Sequence, residues 1–140
     1  MLPEPVIQGG KMRKRIYVAG AINATHCDDV FENLRIGSRY SLKVLLDPRL
    51  SPFNPFFGFL YRLVAGGIEA RRLQAKGVFY DADMAWLEVA DAVLVVPDSD
   101  ESVGVINEIE FAKERGIPIF HSLNELKAWA DDNADSNNGR

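Results

Sequence analysis

Three side chains in this sequence, Glu108, Asp83 and Tyr17, have the chemistry to act together. Glu108 follows Gly104 by one helical turn, and Val105, Ile109 and Ala112 form the apolar stripe of a helix expected over 102–115. Glu108 borders that stripe and does not stand opposite it. An acid in this place either snorkels to water or presents its carboxylate to a cavity. Asp83 is the more unusual of the two acids. Phe79 lies four residues before it, and Trp86, Leu87 and Ala90 lie three, four and seven after it, so the helix expected over 79–90 carries an acid on its apolar face. An ionised carboxylate there is costly to desolvate unless a partner or a cavity receives it. The plainer alternative is a helix-start acid that complements the dipole, a role Asp81 fills as well. Tyr17 belongs to the run Arg15-Ile-Tyr-Val-Ala19, where a tyrosine is ordinarily core with its hydroxyl tied to a neighbour.

The elements that must position these groups alternate along the chain. Arg15 to Ala19 reads as a buried first strand. Asp28 and Asp29 open a helix to about Leu46, weakened in its middle by Gly37 and Ser38 and ended by Pro48. Leu50 to Phe56 supplies only a short irregular strand, because two prolines remove ladder donors. The aromatic and glycine-rich stretch on to Gly67 is a lid, an inserted helix or an oligomer contact. After the helix 79–90, Asp91 to Val96 is a strand closed by Pro97. The helix 102–115 is capped by Gly116. Ile117 to Phe120 is the last strand, and Leu123 to Ala130 the last helix. This order implies an α/β fold: a single-domain three-layer sandwich on a mainly parallel sheet of four to five strands, flavodoxin- or Rossmann-like. Residues 1–12 read as a flexible lead, 13–131 as the domain, and 132–140 as a polar tail too poor in apolar groups to order itself.

In open α/β sheets, ligands bind outside the carboxyl ends of the strands. Three stretches reach that edge: the turn Gly20, Ala21, Ile22 and Asn23; the turn from Pro97 to Gly104, with Ser102 near its end; and the start of helix 79–90. Two carboxylates and a phenol therefore converge at one edge. Paired carboxylates suit glycosidic bond cleavage, in which one attacks the anomeric carbon while a second group orients the sugar or helps the leaving group.

Composition narrows the classes. The chain has 140 residues, 47% of them hydrophobic, and a formal net charge of -4, so no basic patch points to a nucleic-acid polymer. Lys11, Arg13, Lys14 and Arg15 read as a solvated entrance to the first strand. The single cysteine, Cys27, excludes an internal disulfide framework and suits a reducing, cytoplasmic setting. His26 and His121 show no metal-ligand spacing, so no metal is expected. The longest apolar stretch, 53–65, is broken by Asn54, Pro55, Gly58 and Arg62, so no membrane span is expected.

The segments Ile16-Tyr-Val-Ala-Gly20, Asp83 to Val95, Ser102 to Ala112 and Gly116-Ile-Pro, in this order, resemble the nucleoside 2-deoxyribosyltransferase superfamily over about residues 15 to 120. Gly104, Glu108, Ala112 and Gly116 recur every four residues within it. That superfamily holds base-exchanging transferases and deoxynucleoside 5′-monophosphate N-hydrolases. The resemblance implies that Glu108 is the nucleophile forming a covalent glycosyl intermediate. Asp83 would position the sugar hydroxyl and assist catalysis, and Tyr17 would orient the nucleophile. Gly20, Ala21, Ile22, Asn23, Ser102 and Gly104 would line the substrate site. Ser102 stands where the transferases carry aspartate and the hydrolases a phosphate-binding serine. The first loop, by contrast, places Ala21 and Asn23 where the hydrolases offer serine and arginine, so a phosphate would need Arg71, Arg72 or Lys76. The expectation is an N-hydrolase acting on a small-molecule nucleoside or nucleotide without a cofactor. A base-exchanging transferase and a non-catalytic nucleotide-sensing module are the alternatives. A homo-oligomer is expected, with Phe53 to Tyr61 as its contact surface.

Overall fold

The structure, a computed structural model, describes residues 12–22, 27–75 and 77–138. Strand β1 (Lys14–Ala19) leads to helix α1 (Cys27–Leu45) and strand β2 (Leu50–Phe53). A 3-10 turn (Pro55–Phe57) and two short helices, α2 (Gly58–Val64) and α3 (Gly67–Leu73), follow. Then come α4 (Val78–Glu88), β3 (Ala92–Val95), α5 (Val103–Glu114), β4 (Ile119–Phe120) and α6 (Leu123–Asn138). The four strands form one all-parallel sheet in the order β2-β1-β3-β4. The fold is α/β, as expected, with four strands.

Alternation along β1 assigns the layers. Tyr17 and Ala19 pack with Met84 and Leu87 of α4 and with Val105 and Ala112 of α5. Ile16 faces the other way, onto Val44 of α1 and Leu126 and Ala130 of α6. Ile16, Tyr17, Val18 and Ala19 are all fully buried, as a strand covered on both faces must be. Chain order departs in opposite directions from β1, to β2 on one side and β3 on the other. Their carboxyl ends therefore frame the crevice where such sheets take ligands.

Local chemistry explains the element ends. Pro52 is tolerated because β2 is an edge strand. Beyond it, the buried Asn54 side chain accepts a hydrogen bond of 2.9 Å from the Phe56 N–H, which turns the chain into the 3-10 turn instead of prolonging the strand to Phe56. Gly116 has φ 69°, and the Ile117 N–H bonds the Ala112 carbonyl at 2.9 Å, so it closes α5 as expected. Gly37 is the reason α1 can lie where it does. Its Cα faces the Phe56 ring so closely that a β-carbon would fall within it.

Two expectations need correction, and one left open is decided. Helix α6 does not stop at Ala130 but continues to Asn138. Leu126 and Ala130 anchor it, Arg49 pairs with Asp131, and Asn133 Nδ2 donates to the Trp129 carbonyl. Most of the polar tail expected from 132 is thus helical. Of the alternatives for the stretch before Gly67, the inserted helix is the one found, with no buried residue in α2 or α3. Trp86, assigned to the apolar face of its helix, is 57% exposed and stacks on Phe53. Of the flexible lead only Met12 lies within the described residues. Among the described residues, no helix is long and apolar enough to cross a membrane.

Candidate active site

A cavity of about 460 Å³ opens at the carboxyl edge of the sheet. Ile22 comes to its wall from the turn after β1, and Gly104 and Glu108 from the first turns of α5. Phe79, Tyr80 and Asp83 come from the start of α4, which runs back from that edge as the alternation required. Phe56, Phe59 and Arg62 complete it from the turn and helix after β2. The volume lies in the range of small-molecule sites, and a mostly apolar wall with a few polar groups is the usual composition of one.

Behind this wall stands Tyr17. Its ring is held in a stack, 5.4 Å from Phe53, which in turn lies 5.3 Å from Trp86. Tyr17 and Phe53 are partners in the β1–β2 register, so the stack is a direct product of strand pairing. The phenol oxygen is buried with no hydrogen-bond partner, and so is Oε2 of Glu108. The two groups are near enough for each to alter the other's proton affinity, yet their contact falls short of a formed hydrogen bond.

The electrostatics follow from that arrangement. Burial pushes the Asp83 carboxyl up to about 6. Glu108 is pushed up to about 8, first by burial and then by the charge of Asp83, with the Tyr17 phenol acting in the opposite direction. Asp83 ionises first, while Glu108 is still neutral, so it feels burial alone; Glu108 must then ionise against a neighbouring charge. Tyr17 is held far above the ordinary phenol range, by burial first and by the two carboxylates next. Two acids with separated proton affinities beside a fixed neutral phenol can divide nucleophilic and proton-handling roles.

No family model, curated protein or solved structure matches the chain.

The remaining expected residues divide. Ile22 and Gly104 line the cavity with the acids. Ser102 is the N-cap of α5 but makes no side-chain capping bond, and it does not line the cavity. Ala21 does not reach this cavity. Its N–H donates to Ser99 Oγ at 3.0 Å, and it borders a separate hollow of about 240 Å³ between α1 and the turn after β3. Gly20 serves packing, since a β-carbon there would lie 2.7 Å from the Phe56 ring. Asn23 and Lys76 lie outside the described residues. Arg71 and Arg72 are exposed on α3 and away from the wall.

Sequence reading missed Arg62, Phe59 and Tyr80. Arg62 registered only as an interruption of an apolar stretch. The available signal was its spacing of three from Phe59, which places both on one face of a helix.

Proposed function

We propose that this cavity cleaves the N-glycosidic bond of a nucleoside or nucleoside 5′-monophosphate through a covalent glycosyl intermediate on Glu108. One observation carries the reading: Oε2 of Glu108 is buried and unpartnered beside the unpartnered phenol of Tyr17, at a cavity that Asp83 shares. A buried carboxylate without donors is destabilised, and a bond to an electrophilic carbon relieves it. The superfamily resemblance of the sequence supports the same assignment.

In the first step the ionised Glu108 carboxylate attacks C1′. The C1′–N bond breaks, its electron pair leaves with the base, and the base takes a proton from solvent, because Asp83 is already ionised when Glu108 is. The Tyr17 hydroxyl donates to the carboxylate and fixes its direction of attack. In the second step water adds to C1′, the ester oxygen returns to Glu108, and the water's proton passes to Asp83. Two displacements at C1′ retain configuration. Ile22, Phe59 and Phe79 supply apolar surface for the sugar and base.

The test is base release from a panel of ribo- and deoxynucleosides and their 5′-monophosphates, followed by chromatography, with Glu108→Ala as the control. Release abolished by that substitution is the expected result. A new nucleoside on addition of a free base would move the assignment to transfer. Tight binding with no single-turnover cleavage would leave a sensing module.

The proposal includes a homo-oligomer. The expected surface loses Phe53 and Phe56, which turn inward, keeps the exposed Phe57, Leu60 and Tyr61, and extends to Leu63, Val64 and Ile68. Light scattering tests it, and a monomer at high concentration would remove it.

A further inference from the structure

Arg62 is the one cation among the described residues that line the cavity. Its guanidinium lies over the Phe79 ring, 4.8 Å from the ring centre. Among the described residues no carboxylate pairs with it. Phe79, the ring it covers, stands one helical turn before Asp83 on α4, so Arg62 and the acids line the same cavity from neighbouring turns. Its neighbours in the wall, Pro55, Gly58, Phe59 and Phe79, offer no negative charge. The plain alternative is an arginine that covers an aromatic ring and keeps its head in water. That alternative accounts for the stacking but gives no reason for the cation to border this cavity without a counterion.

We propose that Arg62 receives an anionic group of the substrate, and that this group is the 5′-phosphate of a nucleoside monophosphate. The inference rests on the reading of Asp83 and Glu108 as the cleaving pair. Two arguments support it. A guanidinium over a ring face uses its π surface there, and its N–H fork, free of any carboxylate, matches two phosphate oxygens. Phe79 and Asp83 are four residues apart on α4, a rise of roughly 6 Å. One furanose ring bridges such a gap, with its anomeric carbon at the acids and its 5′ substituent at Arg62. Of the other cations considered for this role, Arg71 and Arg72 do not line the cavity, and Lys76 lies outside the described residues.

The experiment compares kcat/KM for one nucleoside and its 5′-monophosphate in the wild type, Arg62→Ala and Arg62→Lys, with thermal melting as the check on folding. The wild type should prefer the monophosphate. Arg62→Ala should reduce that preference about 30-fold or more, mainly through KM, the scale of a lost charge-assisted pair. Arg62→Lys should recover part of it, since charge returns without the fork. Equal handling of both substrates by the wild type, or an unchanged preference in Arg62→Ala, would overturn the inference and leave the cleavage reading intact. A binding arm separates the two readings. Calorimetric titration of Glu108→Gln with monophosphate, nucleoside and inorganic phosphate requires no turnover. Monophosphate binding that exceeds nucleoside binding and weakens in the Glu108→Gln, Arg62→Ala double variant supports the phosphate site even if no substrate is cleaved. Equal binding of the two removes it.

Discussion

The phenol oxygen of Tyr17 and Oε2 of Glu108 are brought together in the interior, close enough to shift each other's proton affinity, yet neither has a fully formed hydrogen bond. Each unsatisfied buried group costs on the order of 1–3 kcal/mol. The register of β1 with β2 and the stacking on Phe53 fix the phenol, and the first turns of α5 fix the carboxylate. Two polar atoms held short of satisfaction cost the resting protein stability, which a better partner at either atom would return.

Replacing Tyr17 by phenylalanine tests that account, because it removes the orphan hydroxyl and keeps the ring stack. The variant should be more stable by about 1 kcal/mol, as removal of an unsatisfied buried group predicts. It should also lose at least ~10-fold in base release, the scale of one hydrogen bond to a charged group. Urea unfolding and initial rates check the two halves. A destabilised variant with unchanged rate would show that the hydroxyl is satisfied in solution and idle in the reaction.

The raised acids make a statement about stability. Asp83 at about 6 and Glu108 at about 8 both lie above their ordinary values of 3.8 and 4.5. Between the ordinary and the raised value the folded protein holds protons that the unfolded chain has released, so stability falls as pH rises. The loss begins near pH 4 and is complete above about pH 8. Glu108→Gln should be indistinguishable from the wild type at pH 4 and more stable at pH 9, by at most about 5 kcal/mol. Thermal melts across that range measure the difference. A difference that does not grow with pH would mean that the carboxyl is better hydrated than its burial implies.

Much of this arrangement was legible in the sequence, and the exceptions have physical causes. The stripes through Val105 and Ala112 and the run Val93 to Val95 are dictated by burial against neighbours close in the fold, so periodicity reads them. Trp86 misled because β2 ends at Phe53, leaving one flank of α4 beyond the sheet, where the indole covers a single ring. Helices α2 and α3 bury no residue, so they carry no stripe to detect. Arg62 was hidden with them. In α6 the Asn- and Asp-rich composition conceals a helix that is held by only a few anchors.

The rate should follow the same pair of acids. If Glu108 attacks as the carboxylate, kcat/KM should rise about tenfold per pH unit below its pKa, as a single ionisation requires. It should level above about pH 8. Asp83→Asn removes the charge that helps to hold Glu108 protonated, so the shoulder of the profile should move to lower pH in that variant even though the overall rate falls. Unmoved shoulders in both proteins would detach Asp83 from Glu108 and return it to the role of a helix-start acid.

A test of the frame that holds the site turns on Gly37. A glycine in mid-helix is ordinarily worth replacing, since alanine stabilises a helix interior by roughly 0.5–1 kcal/mol. Here the sign should reverse. A β-carbon at position 37 would enter the ring of Phe56, which is buried between α1 and the strand ends and also lines the cavity. Either α1 moves out or the ring swings into the site, and overpacking of this kind costs typically 1–3 kcal/mol. Gly37→Ala should therefore lower the urea midpoint and raise KM together. Adding Phe56→Leu to the same chain removes the ring and should return part of the stability. A stabilised Gly37→Ala protein with unaltered KM would show that α1 and Phe56 are not in contact, and with them would go the account of how this cavity keeps its shape.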